Sequence, residues 1–344
     1  MVTLTRRHFR CPHCRDAGYT ADALLGLDGY LSPRILRLAC RFTADHSFEI
    51  AANRLFESLD VSVSGETLRR HCTAAGTAIA QWMRTDPAAA EPFRLASGEV
   101  EVQVDAGKVN TTAGWRDLKV LGFAKRPNGP AATPLQWATR DLPETTAQVF
   151  LADIEGIETF RQSWRVWADR LGVGSGAEVS VLGDGADWIW GAANAQFPGS
   201  QQVLDVYHAL EYVSDAAKGL YGEGTAETMV SYESGKSKLL SDGWQGVCEW
   251  VADELSREDT AVRREAVECL VSYLSKHVCR VGYKSRLSEG RSIGSGLIEG
   301  RIKTVGLRMK ARGARWVERN AEHMTALVAL SNGTLWDNYW NVAV

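Results

Sequence analysis

The 344-residue chain has no apolar run approaching the ~20 residues of a membrane span. Its N-terminus, MVTLTRRHFRCPHC, carries charge without the apolar stretch of a signal peptide. The seven cysteines, an odd number, lie scattered at 11, 14, 40, 72, 248, 269 and 279, which is no disulfide framework. A membrane protein and a disulfide-stapled secreted domain are thereby excluded, and a cytoplasmic, reducing location is expected. No second C-x-x-C accompanies Cys11 and Cys14, and no internal repeat or low-complexity tract appears. The strand-to-helix turns hold no G-x-S-x-G or other recognisable Ser-His-Asp or Cys-His arrangement. Charge of one sign is also missing: 39 basic and 42 acidic residues leave a net charge of -3.

What is present is ordinary for a soluble globular protein, with 45% hydrophobic and 24% charged residues and length for two or three compact domains. The near-neutral sum hides a split. Residues 84–275 carry -12, whereas the 41 residues 276–316 carry +9. Attraction to phosphate is local, so such a block says more about partners than the mean does; a solvated helix face is the alternative.

Residues 1–30 hold Cys11 and Cys14, flanked by His8 and His13. One C-x-x-C is half of a zinc ribbon, because a closed site needs four ligands. A histidine completes the site, or its partner knuckle is missing, or these are two ordinary thiols. Residues 31–83 turn helical, with Ser47 and Ser64 placed as N-caps. Two short helices joined by LDVSVS, the second opening with Glu66, Arg69 and Arg70, fit a helix-turn-helix or any small helical bundle. The Pro- and Ala-rich stretch 84–98 reads as a linker.

From residue 99 the period changes to that of strands. EVEVQVDAGKV and WRDLKVLGFAK read as two strands and PLQWATRD as a third. The stretch TTAQVFLADIEGIETFRQSWRVWADRL reads as a helix, EVSVLGDGADWIW as a buried strand with its turn, and QQVLDVYHALEYV as a strand entering a helix. A mixed sheet covered by helices follows, an α/β domain over 99–208. Residues 209–290 read as a helical insertion, and 291–344 as a C-terminal helical part opening at Ser295 and carrying the basic block.

Three carboxylates stand out by position: Asp105 at the end of the first strand, Asp184 between glycines after a later strand, and Glu299 at the start of the last helix. Such a set supplies hard oxygen ligands for Mg²⁺ or Mn²⁺. Two ions roughly 3.5–4 Å apart serve phosphodiester cleavage or transfer and require no protein nucleophile. Strand-end aspartates are also common as turn caps.

The strings VDAGKVNTTAGWRDLKV, VLGDGADWIW, QVLDVYHALEYV and GSGLIEGRIKTVGLRMKARGARW, in this order, resemble the DDE transposases of bacterial insertion sequences, in particular the ISKra group. The likeness also covers CPHC, LGLDGYLSP, SFEIAANRL and SGETLRRH, and so spans essentially the whole chain. It implies an RNase H-like mixed sheet with a helical insertion, preceded by a small zinc-ribbon-like segment and a helix-turn-helix region. Asp105, Asp184 and Glu299 match the metal-binding triad, with two Mg²⁺ or Mn²⁺ ions as cofactors and Cys11 and Cys14 as candidate zinc ligands. Asp205 and His208 match a further element of related Mutator-type enzymes, in which His208 is either catalytic or anchors a strand end. Relatives usually show another C-x-x-C upstream, so the resemblance implies that a first knuckle is missing ahead of VTLTRRHFRCPHC. The implied activity is DNA cleavage at element ends followed by strand transfer. The partners are the terminal inverted repeats, target DNA and a second copy of the chain, with no membrane. Lys303, one helical turn after Glu299, would contact phosphate, and Arg308, Lys310, Arg312 and Arg315 would continue the positive surface, with Arg69 and Arg70 on the helix-turn-helix. A decayed transposase acting as a DNA-binding regulator and an RNase H-like nuclease without strand transfer are the alternatives.

Overall fold

Alternation of valine with polar residues in EVEVQVDAGKVNT produces a 13-residue strand, β3 (Glu99–Thr111). In this computed structural model, which describes residues 7–19, 22, 31–154, 156–258 and 260–342, β3 is the central strand of a five-stranded mixed sheet. A two-residue turn returns the chain as β4 (Gly114–Arg126), and a connection that short can only be antiparallel. β4 pairs antiparallel with β5 (Ala147–Asp153). On its other side β3 pairs in parallel with β6 (Val179–Gly183), and β6 in parallel with β7 (Gln201–Leu204). The order is β5-β4-β3-β6-β7, preceded in the chain by a small antiparallel pair, β1 (His8–Arg10) and β2 (Ala17–Tyr19). The protein is mixed α/β.

Two sequence expectations change here. The third strand is AQVFLAD, which had read as the start of a helix. The PLQWATRD stretch, expected as a strand, holds a 3-10 turn at Pro134–Gln136 closed by a reciprocal Thr133–Gln136 capping box. Within 84–98, the stretch that reads as a linker, Glu91–Leu95 is a short helix that buries Phe93 at 1% exposure.

Both faces of the sheet are covered. The crossovers to β6 and β7 run through two helices, Ile157–Leu171 and Asp187–Gln196. On their side Phe123 of β4 meets Phe197 at 6.5 Å between ring centroids, Phe197 meets Trp164 at 6.4 Å, and Gly183 lies under Ile189. Fully burying an aromatic of this kind is worth ~1.5–3 kcal/mol. On the opposite face the helix Gly296–Met309 sets Ile298 into a buried cluster with Val120 and Phe150. Between residues 206 and 288 every described element is helical: Val206–Tyr221, Ala226–Arg257, Ala261–Leu274, a 3-10 turn at Ser275–Arg280 and Tyr283–Ser288.

The chain divides into two compact units. One, containing the sheet, is Ala90–Asn110 with Gly114–Gly306. The other consists of the described residues of Met1–Ala89 and Leu307–Val344 together with Thr111–Ala113. This second unit contains helices Pro33–Asp45, Phe48–Leu59, Gly65–Thr85 and Glu318–Ser331. Ser47 and Ser64 cap as expected, their hydroxyls accepting from the Ile50 and Thr67 amides at 3.3 and 3.1 Å. The helix from Gly65 is 21 residues long, longer than a short recognition helix needs. Most of the LGLDGYLSP segment lies outside the described residues. Among the described residues no helix is long and apolar enough to cross a membrane.

Candidate active site

Side-chain parity puts the carboxylates together. Gln103 and Asp105, two residues apart on β3, share a face, as do Ser180, Leu182 and Asp184 along the β6 line. Val104 and Gly183 are register partners, so Asp105 and Asp184 follow equivalent positions on adjacent parallel strands. β6 ends at Gly183, but β3 runs on to Thr111, so Asp105 sits within a long strand and not at its end. Each carboxylate is oriented by a backbone amide just beyond it: Ala106 N donates to Asp105 Oδ1 at 2.7 Å, and Ala186 N to Asp184 Oδ1 at 2.9 Å.

Glu299 reaches the same face from the first turn of Gly296–Met309. The Ile298 amide, free of any intrahelical partner four residues back, donates to Gln103 Oε1 at 3.2 Å. That bond ties the start of the Glu299 helix to the strand position two residues before Asp105. The electrostatics agree with the convergence. Burial, then the negative charges of Asp184 and Glu299, raise the Asp105 carboxyl above its ordinary value, against the Ala106 amide and His208, which lower it. Lys303 Nζ lies 3.5 Å from Glu299 Oε2, one turn along and 74% exposed, where an ion pair contributes little to stability.

Asp205 and His208 enter from the β7 corner. Asp205, His208 and Glu299 each place a ligand atom within 4.8 Å of the other two. Asp205 is fully buried, and its carboxylate caps the helix Val206–Tyr221 by accepting from the Tyr207 and His208 amides at 2.8 and 3.0 Å. At this corner the Asp205 backbone amide also donates to the Gly183 carbonyl at the end of β6, at 2.8 Å. The His208 ring is part-exposed, with Nδ1 3.4 Å from Glu211. Ser295 stands just before the helix Gly296–Met309, where a serine hydroxyl commonly caps. The hydroxyl instead donates to Asp205 Oδ2 at 2.9 Å, and the Ser295 carbonyl accepts the Ile298 and Glu299 amides at 2.9 and 3.2 Å.

Tyr273 is a neighbour that sequence reasoning missed. Its ring stacks on Tyr212 at 3.8 Å and covers Gly185, where a Cβ would come within 2.3 Å of the phenol. Burial, Tyr212, Asp184 and Asp205 hold its hydroxyl protonated well above the usual phenol range, so it remains a hydrogen-bond donor beside Asp184. Within the amphipathic SYLSKHV stretch no spacing marks this tyrosine out; only the packing of Ala261–Leu274 does.

The expected basic surface is only partly a surface. Arg308 is 3% exposed, donates to the Thr43 carbonyl at 2.6 Å and lies 5.0 and 4.8 Å from the Phe48 and Trp316 ring centroids. It is an interior residue. The basic run was expected to stay helical, but the helix stops at Met309. Beyond it Lys310 and Arg312 are exposed, and Arg315 donates to the Thr111 and Thr112 carbonyls at 3.4 and 3.1 Å. Trp316 is buried and donates to the Met309 carbonyl at 3.0 Å. Arg69 is held by Glu66 through two bonds of 2.7 and 2.6 Å, and Arg70 is exposed. Cys11 and Cys14 lie on the β1–β2 turn. The Cys14 and His13 amides lower the Cys11 thiol, but among the described residues no third ligand joins the two sulfurs.

No protein-family model matches the chain, and no curated protein matches it either.

Proposed function

We propose that the protein is a DDE transposase of the ISKra type, with an RNase H-like catalytic unit that cleaves DNA at element ends and transfers the strand to target DNA. The observation that carries this reading is the convergence of Asp105 and Asp184, side by side after paired residues of parallel strands, with Glu299 from a helix bonded to the same strand. The five-stranded mixed sheet, ordered β5-β4-β3-β6-β7 with three antiparallel strands followed by two parallel ones, supports it at the level of the mixed sheet that the sequence resemblance implies.

The donor set suits hard divalent cations. Asp105 and Asp184 each give one oxygen to a backbone amide and keep the second free of hydrogen bonds from the described residues. Burial raises Asp105 most, and the added repulsion from Asp184 and Glu299 is the kind a cation relieves. Asp105, Asp184 and Glu299 would hold Mg²⁺ or Mn²⁺, which when bound supplies Lewis-acid activation of the attacking oxygen and of the phosphodiester. Exposed Lys303 would meet the backbone phosphates beside the carboxylates, and Lys310, Arg312 and Arg70 add exposed cations for DNA elsewhere on the chain. Cys11 and Cys14 would contribute two ligands to a zinc knuckle whose other ligands lie outside the pair. Joining two element ends calls for at least a dimer on DNA.

The test is incubation of the purified protein with DNA carrying the inverted repeats that flank its gene, in Mg²⁺ or Mn²⁺. Nicking at the repeat ends with joined products is expected, and Asp105→Asn should lower cleavage by about 10³-fold or more while leaving DNA binding intact. Nicking without joined products would make the protein a nuclease, and binding without nicking a regulator. Cleavage retained in Asp105→Asn would overturn the site.

A further inference from the structure

Asp205 falls in the cluster with His208 and Glu299, yet its oxygens are already taken. A carboxylate offers about four acceptor positions. Asp205 Oδ1 accepts from the Tyr207 and His208 amides, and Oδ2 from the Ser295 amide and the Ser295 hydroxyl. With all four filled and the residue fully buried, Asp205 has no lone pair to offer an ion. This sets it apart from Asp105 and Asp184, each of which keeps one oxygen open.

Its bonds lead in two directions. The Asp205 amide donates to the carbonyl of Gly183 at 2.8 Å, the residue immediately before Asp184. Its side chain grips Ser295, whose carbonyl accepts the Glu299 amide. The neighbouring Val206 amide adds a bond of 3.1 Å to the Ile293 carbonyl, running parallel to the grip. One buried residue is thus a single bond from the backbone before Asp184 and two bonds from the backbone of Glu299.

We infer that Asp205 is a positioning residue: it fixes the placement of Glu299 relative to Asp184, and so the geometry in which the acidic set receives a divalent cation. The inference rests on the metal-site reading above. Asp205→Asn is the discriminating change. Whichever way the amide turns, its NH₂ faces at least one backbone N–H that cannot accept from it, so one side of the clamp must open. Partners that orient metal-binding side chains typically change metal affinity by ~10–100-fold when altered.

The experiment measures Mn²⁺ binding to the full-length protein by electron paramagnetic resonance, and amide hydrogen exchange at Ile298 and Glu299. It compares wild type, Asp205→Asn, Ser295→Ala and Asp105→Asn, each shown by thermal melting to be folded. Asp205→Asn is expected to bind Mn²⁺ at least ~10-fold more weakly and to exchange faster at both amides. Asp105→Asn should lose Mn²⁺ with exchange unchanged, since it removes an open oxygen and leaves the clamp whole. If Asp205→Asn does not fold, Ser295→Ala, which deletes only the hydroxyl bond, is expected to show the same two changes at severalfold size. Wild-type Mn²⁺ binding and exchange in the folded clamp variants would overturn the inference and leave the metal-site reading standing, as would faster exchange with undiminished Mn²⁺ binding. Wild-type protein that binds no Mn²⁺ would overturn both.

Discussion

Asp105 and Asp184 follow register partners on adjacent parallel strands, and each is turned by a nearby backbone amide, Ala106 within β3 or Ala186 past the end of β6, so that one oxygen stays open. Burial, with the charges of Asp184 and Glu299 added to it, makes ionising Asp105 costly.

The cost should be visible as pH-dependent stability. Asp105 has its folded value raised, chiefly by burial and by Asp184, so the neutral form is favoured in the fold. Its contribution is fully present below the ordinary carboxylate value and is lost as pH rises through the raised one. In EDTA, Asp105→Asn is therefore expected to melt about 2 °C or more above wild type at neutral pH, with the gap closing on acidification through the raised value. Mg²⁺ should reverse the order, because only wild type gains from binding it. Melting curves against pH, with and without Mg²⁺, check this; a gap that widens on acidification would contradict it.

Gly185 is required by Tyr273. A Cβ there would overlap the phenol at 2.3 Å, and the ring cannot swing away freely because it is stacked on Tyr212 with an interplanar angle of 9°. Gly185→Ala should destabilise by about 1–3 kcal/mol, the usual cost of forced overpacking. Adding Tyr273→Leu should return part of the loss, a coupling that a double-mutant cycle by denaturant titration would measure.

Arg308 and its basic neighbours should separate by assay. Burial lowers the Arg308 guanidinium only to about 10, so it stays charged at neutral pH between Phe48 and Trp316. Arg308→Ala is expected to cost about 2–4 kcal/mol of stability through lost packing and cation–π contact. Lys310→Ala and Arg312→Ala, at exposed positions, should leave stability within about 0.5 kcal/mol of wild type and lower the salt dependence of DNA binding by about one counterion each.

Gly76 offers a case in which propensity and packing oppose each other. In an exposed helix Gly→Ala gains up to ~1 kcal/mol. Here a Cβ would meet the His323 carbonyl oxygen at 2.2 Å, and a backbone atom of a packed helix does not give way cheaply. Gly76→Ala should therefore destabilise by about 1–2 kcal/mol net. A rise in melting temperature would show that the two helices can separate at low cost.

The three candidate carboxylates stand out in the sequence by local pattern, although Asp105 lies within its strand and not at a turn. The valine alternation before Asp105, the glycines around Asp184 and the helical run after Glu299 each signal locally. The serine caps at 47 and 64 were equally local. AQVFLAD was misread because seven residues of mostly apolar character suit a helix start or a strand alike; its pairing with β4, from Lys119↔Asp153 to Lys125↔Ala147, decides for the strand. The helical character of residues 296–309 could be read from sequence, but the burial of Arg308 could not, since Thr43 and Phe48 lie more than 250 positions away.

The sequence by itself determined which residues have hydrogen-bonding and charge chemistry suited to a divalent metal, and which short stretches alternate, cap or turn. These are properties of neighbours in the chain. Tertiary structure alone decided that Asp205 spends both its oxygens on a clamp while Asp105 and Asp184 keep one open, that Tyr273 lies over Gly185, and that part of the basic block is interior. A carboxylate's role depends on which donors surround it, and here those donors arrive from segments about ninety residues apart.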